Sequence, residues 1–223
     1  MACIFLIDLN LVHLEAVMQK LLNILTIWLL GMGVANAALI TYSYTDITSS
    51  FNSSSSLYDY ITNSSNTTSS SVTDFTLVSG EEDSVSMVEF SFNLASLTDL
   101  DVFAGVDADY GAEIYVNGVQ AFDTQDNLWW KLDWSNSDVF GVADDFNGFV
   151  DIKIVWAEEC CGGSASIALS SSVLPSGLNE LSVSNLEALE IASSGSSVSV
   201  PTPSTVFLLG LGVLLIGTRK FRV

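Results

Sequence analysis

Asp107 and Asp109 stand two residues apart, and Gly111 and Glu113 continue the same spacing. Carboxylates gathered around a glycine bend suit a hard divalent cation, because calcium takes about six to eight oxygen ligands. The run is not an EF-hand loop. That loop needs a bidentate Glu at its last position, and the corresponding residue here is Gly118. Asp144-Asp145 and Glu158-Glu159 are acidic pairs that could add ligands from nearby loops. The alternative is a set of solvated acidic loops, since Asp and Glu recur throughout the chain.

Two further features could carry chemistry. Cys160-Cys161-Gly162-Gly163 puts two thiols side by side. In an oxidising compartment a disulfide is expected. Adjacent Cα atoms lie about 3.8 Å apart, so a vicinal bond makes a tight, rigid turn that the two glycines accommodate. That turn either shapes a ligand site or serves as a structural hairpin clip. Two cysteines are too few for a zinc site, and the spacing is not that of a Cys-x-x-Cys redox pair. Trp129-Trp130 and Trp134 form an aromatic group. If they lie on a strand, Trp130 and Trp134 share one face and Trp129 takes the other. Core packing then suits Trp130 and Trp134, and Trp129 is the candidate for an exposed ring that meets a sugar. Catalysis lacks its usual parts. The single histidine is His13, near the start, so the rest of the chain cannot assemble a Ser-His-Asp or Cys-His group. The expectation is a non-enzyme.

Charge narrows the partners. The formal net charge is −20. All acidic residues except Asp8 and Glu15 lie between Ala38 and Val200, where only Lys131 and Lys153 oppose them. Such a surface repels phosphates, so no nucleic-acid partner is expected. It suits solubility and divalent cations. The aromatic and branched residues suffice for a core, in spite of the Ser/Thr/Asn richness.

The elements that must position these residues read as strands. Val88, Phe90, Phe92 and Leu94 alternate with Glu89, Ser91 and Asn93. Val150, Ile152, Ile154 and Trp156 alternate likewise. Period two marks a strand with one buried face. Asn117-Gly118 between Ala112–Val116 and Val119–Phe122 is a hairpin signal, because a type I′ turn needs positive φ twice. Ala38–Tyr44 and Ser164–Ser170 are further strands. Residues 51–71 are Ser/Asn/Thr-rich and read as a long loop, and Leu178–Ile191 is ambiguous. The expected fold is mainly β, an antiparallel β-sandwich of jelly-roll type, flanked by an N-terminal signal helix and a C-terminal hydrophobic helix.

The ends carry addresses. Lys20 precedes the apolar run Leu21–Val34, and Ala35-Asn36-Ala37 places small residues Ala35 and Ala37 at a cleavage site. This is the layout of a secretory signal peptide, with Met18 as the expected true start. At the other end, Val200-Pro201-Thr202-Pro203-Ser204-Thr205 precedes the apolar Val206–Gly217 and then Arg219, Lys220 and Arg222. The apolar run falls short of the roughly 20 residues of a full span, and its basic end predicts a cytoplasmic terminus. In order and spacing the three parts resemble a PEP-CTERM sorting signal, with Thr202 where the family has Glu. The resemblance implies an exosortase-type processing enzyme as partner and attachment to the inner membrane, at least in transit. It also implies a final place in the cell envelope or extracellular matrix of an exopolysaccharide-producing bacterium. The Cys-Cys-Gly-Gly run is similar to the Cys-Cys-x-Gly element of one group of such proteins. The expected organisation is a leader over 1–37, a β-sandwich over 38–191, a linker over 192–200 and the sorting segment over 201–223.

Within residues 100–172, Asp107-Ala108-Asp109-Tyr110-Gly111, then Glu113–Gly118, then Phe122-Asp123 resemble the protective-antigen and flocculin-type β-sandwich. Phe149–Trp156 and Gly162–Leu169 are similar to its final hairpin. The resemblance implies carbohydrate binding, in some members through calcium held by adjacent Asp residues. Tyr110 stands where the second Asp of that pair belongs, so Asp109 alone carries over. The functional expectation is a non-catalytic module bound to exopolysaccharide, with Asp107, Asp109 and Trp129 as ligand residues and calcium at Asp107 and Asp109. The alternatives are a matrix protein with no specific ligand, or a carboxylate-based glycosidase.

Overall fold

Alternating apolar and polar residues give one dominant strand pair. The computed structural model describes residues 38–160 and 162–195. The signal segment with its Ala35–Ala37 cleavage site, Cys161, and the sorting segment from Val200 to Arg222 lie outside the described residues. Strand β1 covers Leu39–Asp46, and helix α1 covers Leu57–Asn63. Strands β2 (Thr68–Val72), β3 (Val78–Ser79) and β4 (Ser84–Ala108) follow. Next come β5 (Ala112–Val116), β6 (Val119–Thr124) and β7 (Leu128–Trp129). The chain continues with β8 (Phe140–Glu158), β9 (Ser164–Ser170), β10 (Asn179–Glu180) and helix α2 (Val183–Ser193). All the strand pairs are antiparallel.

β4 and β8 pair along most of their length and break register between Leu94 and Thr98. That break turns a ribbon into a sandwich. Even-numbered residues of β4 on both sides of it, from Val88 to Ala108, enter one core cluster with Ile152, Ile154 and Trp156. An unbent strand of this length would span about 80 Å at roughly 3.3 Å per residue. Its two ends reach a common core only by folding over where the pairing breaks, and Ala95, Ser96 and Leu97 are exposed there. β1 and β9 flank the two halves of β4 on its other side. The result is the expected mainly-β sandwich.

Odd residues of the first half, Val85 and Met87, join Val155 and Ala157 under α1 in a second cluster with Leu57 and Ile61. α1 and β2 therefore occupy the stretch read as a loop. Ser56 caps the helix by accepting from Asp59 N–H. β2 forms because Ser and Thr satisfy an edge strand as well as they do a loop once β1 offers a partner. The Asn117-Gly118 hairpin is present, with φ of 49° and 78°. The ambiguous Leu178–Ile191 stretch holds β10 and most of α2, which buries Leu186 and Leu189.

Candidate functional site

The end of β4 carries both candidate aspartates. Ala108 faces its pairing partner Leu128, and both belong to the core. Alternation therefore turns Asp107 and its partner Trp129 away from the core, with Cβ atoms about 5 Å apart. Two side chains hold the Trp129 backbone. Its N–H donates to Asp138 Oδ2 at 3.1 Å, and its carbonyl accepts from Asn136 Nδ2 at 2.7 Å. Trp129 is 58 % exposed, and Lys131 Nζ sits 4.6 Å from its ring centroid. Strand geometry ends there, because Lys131 and Leu132 take φ of 57° and 58°. Trp130 turns inward over Gly105, where a Cβ would fall 2.3 Å from the indole. Trp134 packs beside it at 4.8 Å between ring centroids. The face division read from the sequence thus holds for Trp129 and Trp130, although only Leu128–Trp129 is strand.

Asp109 is fixed by its neighbours. Its Oδ1 accepts from Asn127 Nδ2 at 2.7 Å, and its Oδ2 accepts from Glu159 N–H at 3.4 Å. The end of β8 supplies Glu158. Ligand atoms of Asp109, Glu158 and Cys160 all lie within 4.8 Å of one another. Glu158 is only 6 % exposed, and its Oε2 has no hydrogen-bond partner. Burial, followed by the charges of Asp109 and Asp107, pushes its carboxyl up to about 7. Burial and then Asp109 also raise Asp107. A buried carboxylate oxygen with no donor is costly unless a cation or proton meets it.

The Gly-Gly run has a steric task at this site. A Cβ on Gly163 would fall 2.2 Å from Asp107 Cβ, so only glycine lets that loop close over the aspartate. Cys160 is disulfide-bonded, so its sulfur is not a thiolate ligand, and its partner falls outside the described residues. The oxygens that could meet a cation are therefore those of Asp109 and Glu158, with Asp107 and Asn127 beside them.

The structure corrects two sequence readings of acidic residues. Glu113 is no cation ligand: its carboxylate accepts from Leu57 N–H at 2.9 Å, Tyr58 N–H at 3.0 Å, Tyr115 O–H at 3.1 Å and Ser56 Oγ at 3.3 Å. Asp144 and Asp145 pair with Leu100 and Asp99, some 25 Å back along β4 from Asp107 at strand rise. Asn127 was missed because nothing in the sequence announces the two-residue strand that places it. Glu158 did leave a signal, since it continues the core-facing phase of Ile152, Ile154 and Trp156.

No family model matches the chain, and no curated protein matches it. Solved structures that the chain resembles include a PA14 sugar-binding domain from an RTX adhesin. It is 16 % identical at a TM-score of 0.41, over 66 % of this chain and 96 % of that one. The PA14 domain of the MpAFP antifreeze protein is 15 % identical at a TM-score of 0.43, over 66 % and 88 %. A β-glucosidase from Kluyveromyces marxianus, in complex with glucose, is 10 % identical at a TM-score of 0.40, over 64 % of this chain and 18 % of that one.

Proposed function

We propose that this domain is a non-catalytic carbohydrate-binding module that holds calcium between Asp109 and Glu158 and offers Trp129 to a sugar ring. One observation carries the reading. The end of β4, β7 and the end of β8 gather Asp107, Asp109, Glu158 and Asn127 beside an exposed, backbone-anchored indole. Glu158 Oε2, buried without a donor, fits a hard cation. Calcium would supply a positive centre with open positions for sugar hydroxyls. The chain supplies the carboxylates, the orientation of Asp109 by Asn127, and an aromatic face for the apolar side of a pyranose. Lys131 must leave that face when a ring stacks on it.

Paired carboxylates also serve glycosidases. Against that use, Glu158 is almost sealed from solvent and could not readily deliver a proton to a bound glycan. The terminal segments extend the reading to place. A signal peptide and a PEP-CTERM-like tail fit export, exosortase-type processing and retention in envelope or matrix, where exopolysaccharide is the natural ligand.

Retention of the full chain on the producer's exopolysaccharide, with calcium or with EDTA, is the direct test. Calcium-dependent retention that is lost in Asp109→Asn/Glu158→Gln supports the module. Retention indifferent to both removes the calcium reading, and no retention at all leaves a matrix protein without a ligand. Fractionating tagged protein with and without residues 201–223 tests the address, because truncation must change where the protein is found.

A further inference from the structure

A second concave surface adjoins this site. It is an open cavity of about 180 Å³ between the serine run before α1 and the outgoing end of β6. Ser53, Ser54, Ser55, Tyr110, Asp123 and Gln125 line it, and Gln120 adds a second carboxamide. The volume equals about six waters at roughly 30 Å³ each. It is below the roughly 300 Å³ at which drug-sized pockets begin, so it suits one small ring.

Glycine shapes the cavity. Gly111 has φ +88°, and a Cβ there would lie 2.0 Å from the Thr124 carbonyl and 2.7 Å from Gln125 Cα. Its bare backbone lets Gln125 close against Tyr110. Glu113 seals the inner end with its bonds to Ser56, Leu57, Tyr58 and Tyr115, leaving the helix start already capped.

The remaining side chains read as polyol chemistry. Gln120 and Gln125 each offer a donor and an acceptor, Asp123 accepts, and serine hydroxyls do either. The structure gives the side chains of Gln120, Asp123 and Gln125 no hydrogen bond. Neither described lysine lines the cavity, while Asp123 and Glu113 do. A carboxylated sugar would meet like charge there, and a neutral one would not. Tyr110 connects the two sites: it follows Asp109 directly in the chain, and its residue forms part of the cavity wall.

We propose that this cavity is a second, metal-independent subsite for one neutral monosaccharide unit, joined through Tyr110 to the acidic centre so that one glycan chain spans both. The proposal rests on the glycan-binding reading above and names the class of sugar the extended site takes.

The test is amide and indole NMR on the full chain. Glucose, mannose, galactose and N-acetylglucosamine are titrated in EDTA, with glucuronate as the charged control. At least one neutral sugar is expected to shift Ser53–Ser55 and Gln125 saturably, and glucuronate is not. Gln125→Ala and the cavity-filling Ser54→Phe, both exposed positions, are each expected to weaken that binding at least fivefold. The proposal is overturned if no neutral sugar shifts these amides, if both variants bind as the parent does, or if glucuronate binds equally well. Adding calcium in the same samples separates the two readings. Shifts at the Trp129 indole and Asn127 report the acidic centre, so either site can fail while the other is seen to bind.

Discussion

Glu158 concentrates the chemistry in one side chain. Its folded-state carboxyl titrates at about 7, against an ordinary value of 4.5, because burial and two aspartates oppose its charge. The folded protein thus holds a proton that the unfolded chain has released between those values. In EDTA, the contribution of Glu158 to stability is expected to be complete below about pH 4.5 and to be lost as pH rises through about 7. Thermal melts of Glu158→Gln beside the parent check this, and the variant should lose that part of the slope. Trp129 makes the opposite prediction. At 58 % exposure, its replacement by Ala should change stability by only about 0.5 kcal/mol. Phe90→Ala, in the core, should cost about 3–5 kcal/mol. Glycan retention is expected to fall in Trp129→Ala, and urea titrations with binding assays on both variants separate function from folding.

At the scale of elements, two small contacts decide whether the pieces sit where the site needs them. Helix α1 is too short to be stable alone. Glu113, reaching across from β5, takes its Leu57 and Tyr58 N–H groups. Glu113→Ala strands buried donors and should cost about 2–3 kcal/mol in urea unfolding, with far-UV dichroism of the β-rich body retained. Gly105 performs the corresponding task for β7. A methyl there would collide with Trp130, so Gly105→Ala must displace the segment that follows Trp129. The expected result is a loss of about 1–3 kcal/mol with reduced glycan retention, read by thermal melts and affinity chromatography. Neither contact is visible locally, since Glu113 looked like a cation ligand beside Asp109 and nothing in the sequence around Gly105 announces the indole that covers it.

At the scale of the molecule, a cation bound only by the folded state must raise stability. At a hundred times its dissociation constant, calcium should add about 2.7 kcal/mol. The measurement is the melting temperature against calcium concentration at neutral pH. Asp109→Asn/Glu158→Gln should abolish the rise, and magnesium, which demands tighter octahedral geometry, should give less of it. The long β4–β8 ribbon makes this linkage global. Asp109 lies just past the end of one long strand and Glu158 at the end of the other, so a cation that held them together would clamp the two strands that build both layers.

Much of the fold was legible because period-two alternation is a local property. The phases of Val88–Leu94 in β4 and of Val150–Trp156 in β8, the Asn-Gly hairpin and β9 could be read residue by residue. So could the outward turn of Trp129. The break between Leu94 and Thr98, the cap from Glu113, the two-residue β7 and the approach of Glu158 could not. Each depends on contacts between residues far apart in the chain, and a single sequence holds no local trace of who meets whom. The chain alone marked Asp107, Asp109, Glu158 and Trp129 as residues whose chemistry suits a cation or a sugar. Only the tertiary structure decided that Asp109, Glu158 and Trp129 share one end of the sandwich while Glu113 and Asp144 serve elsewhere. That choice belongs to strand register and burial, which are properties of the packed whole.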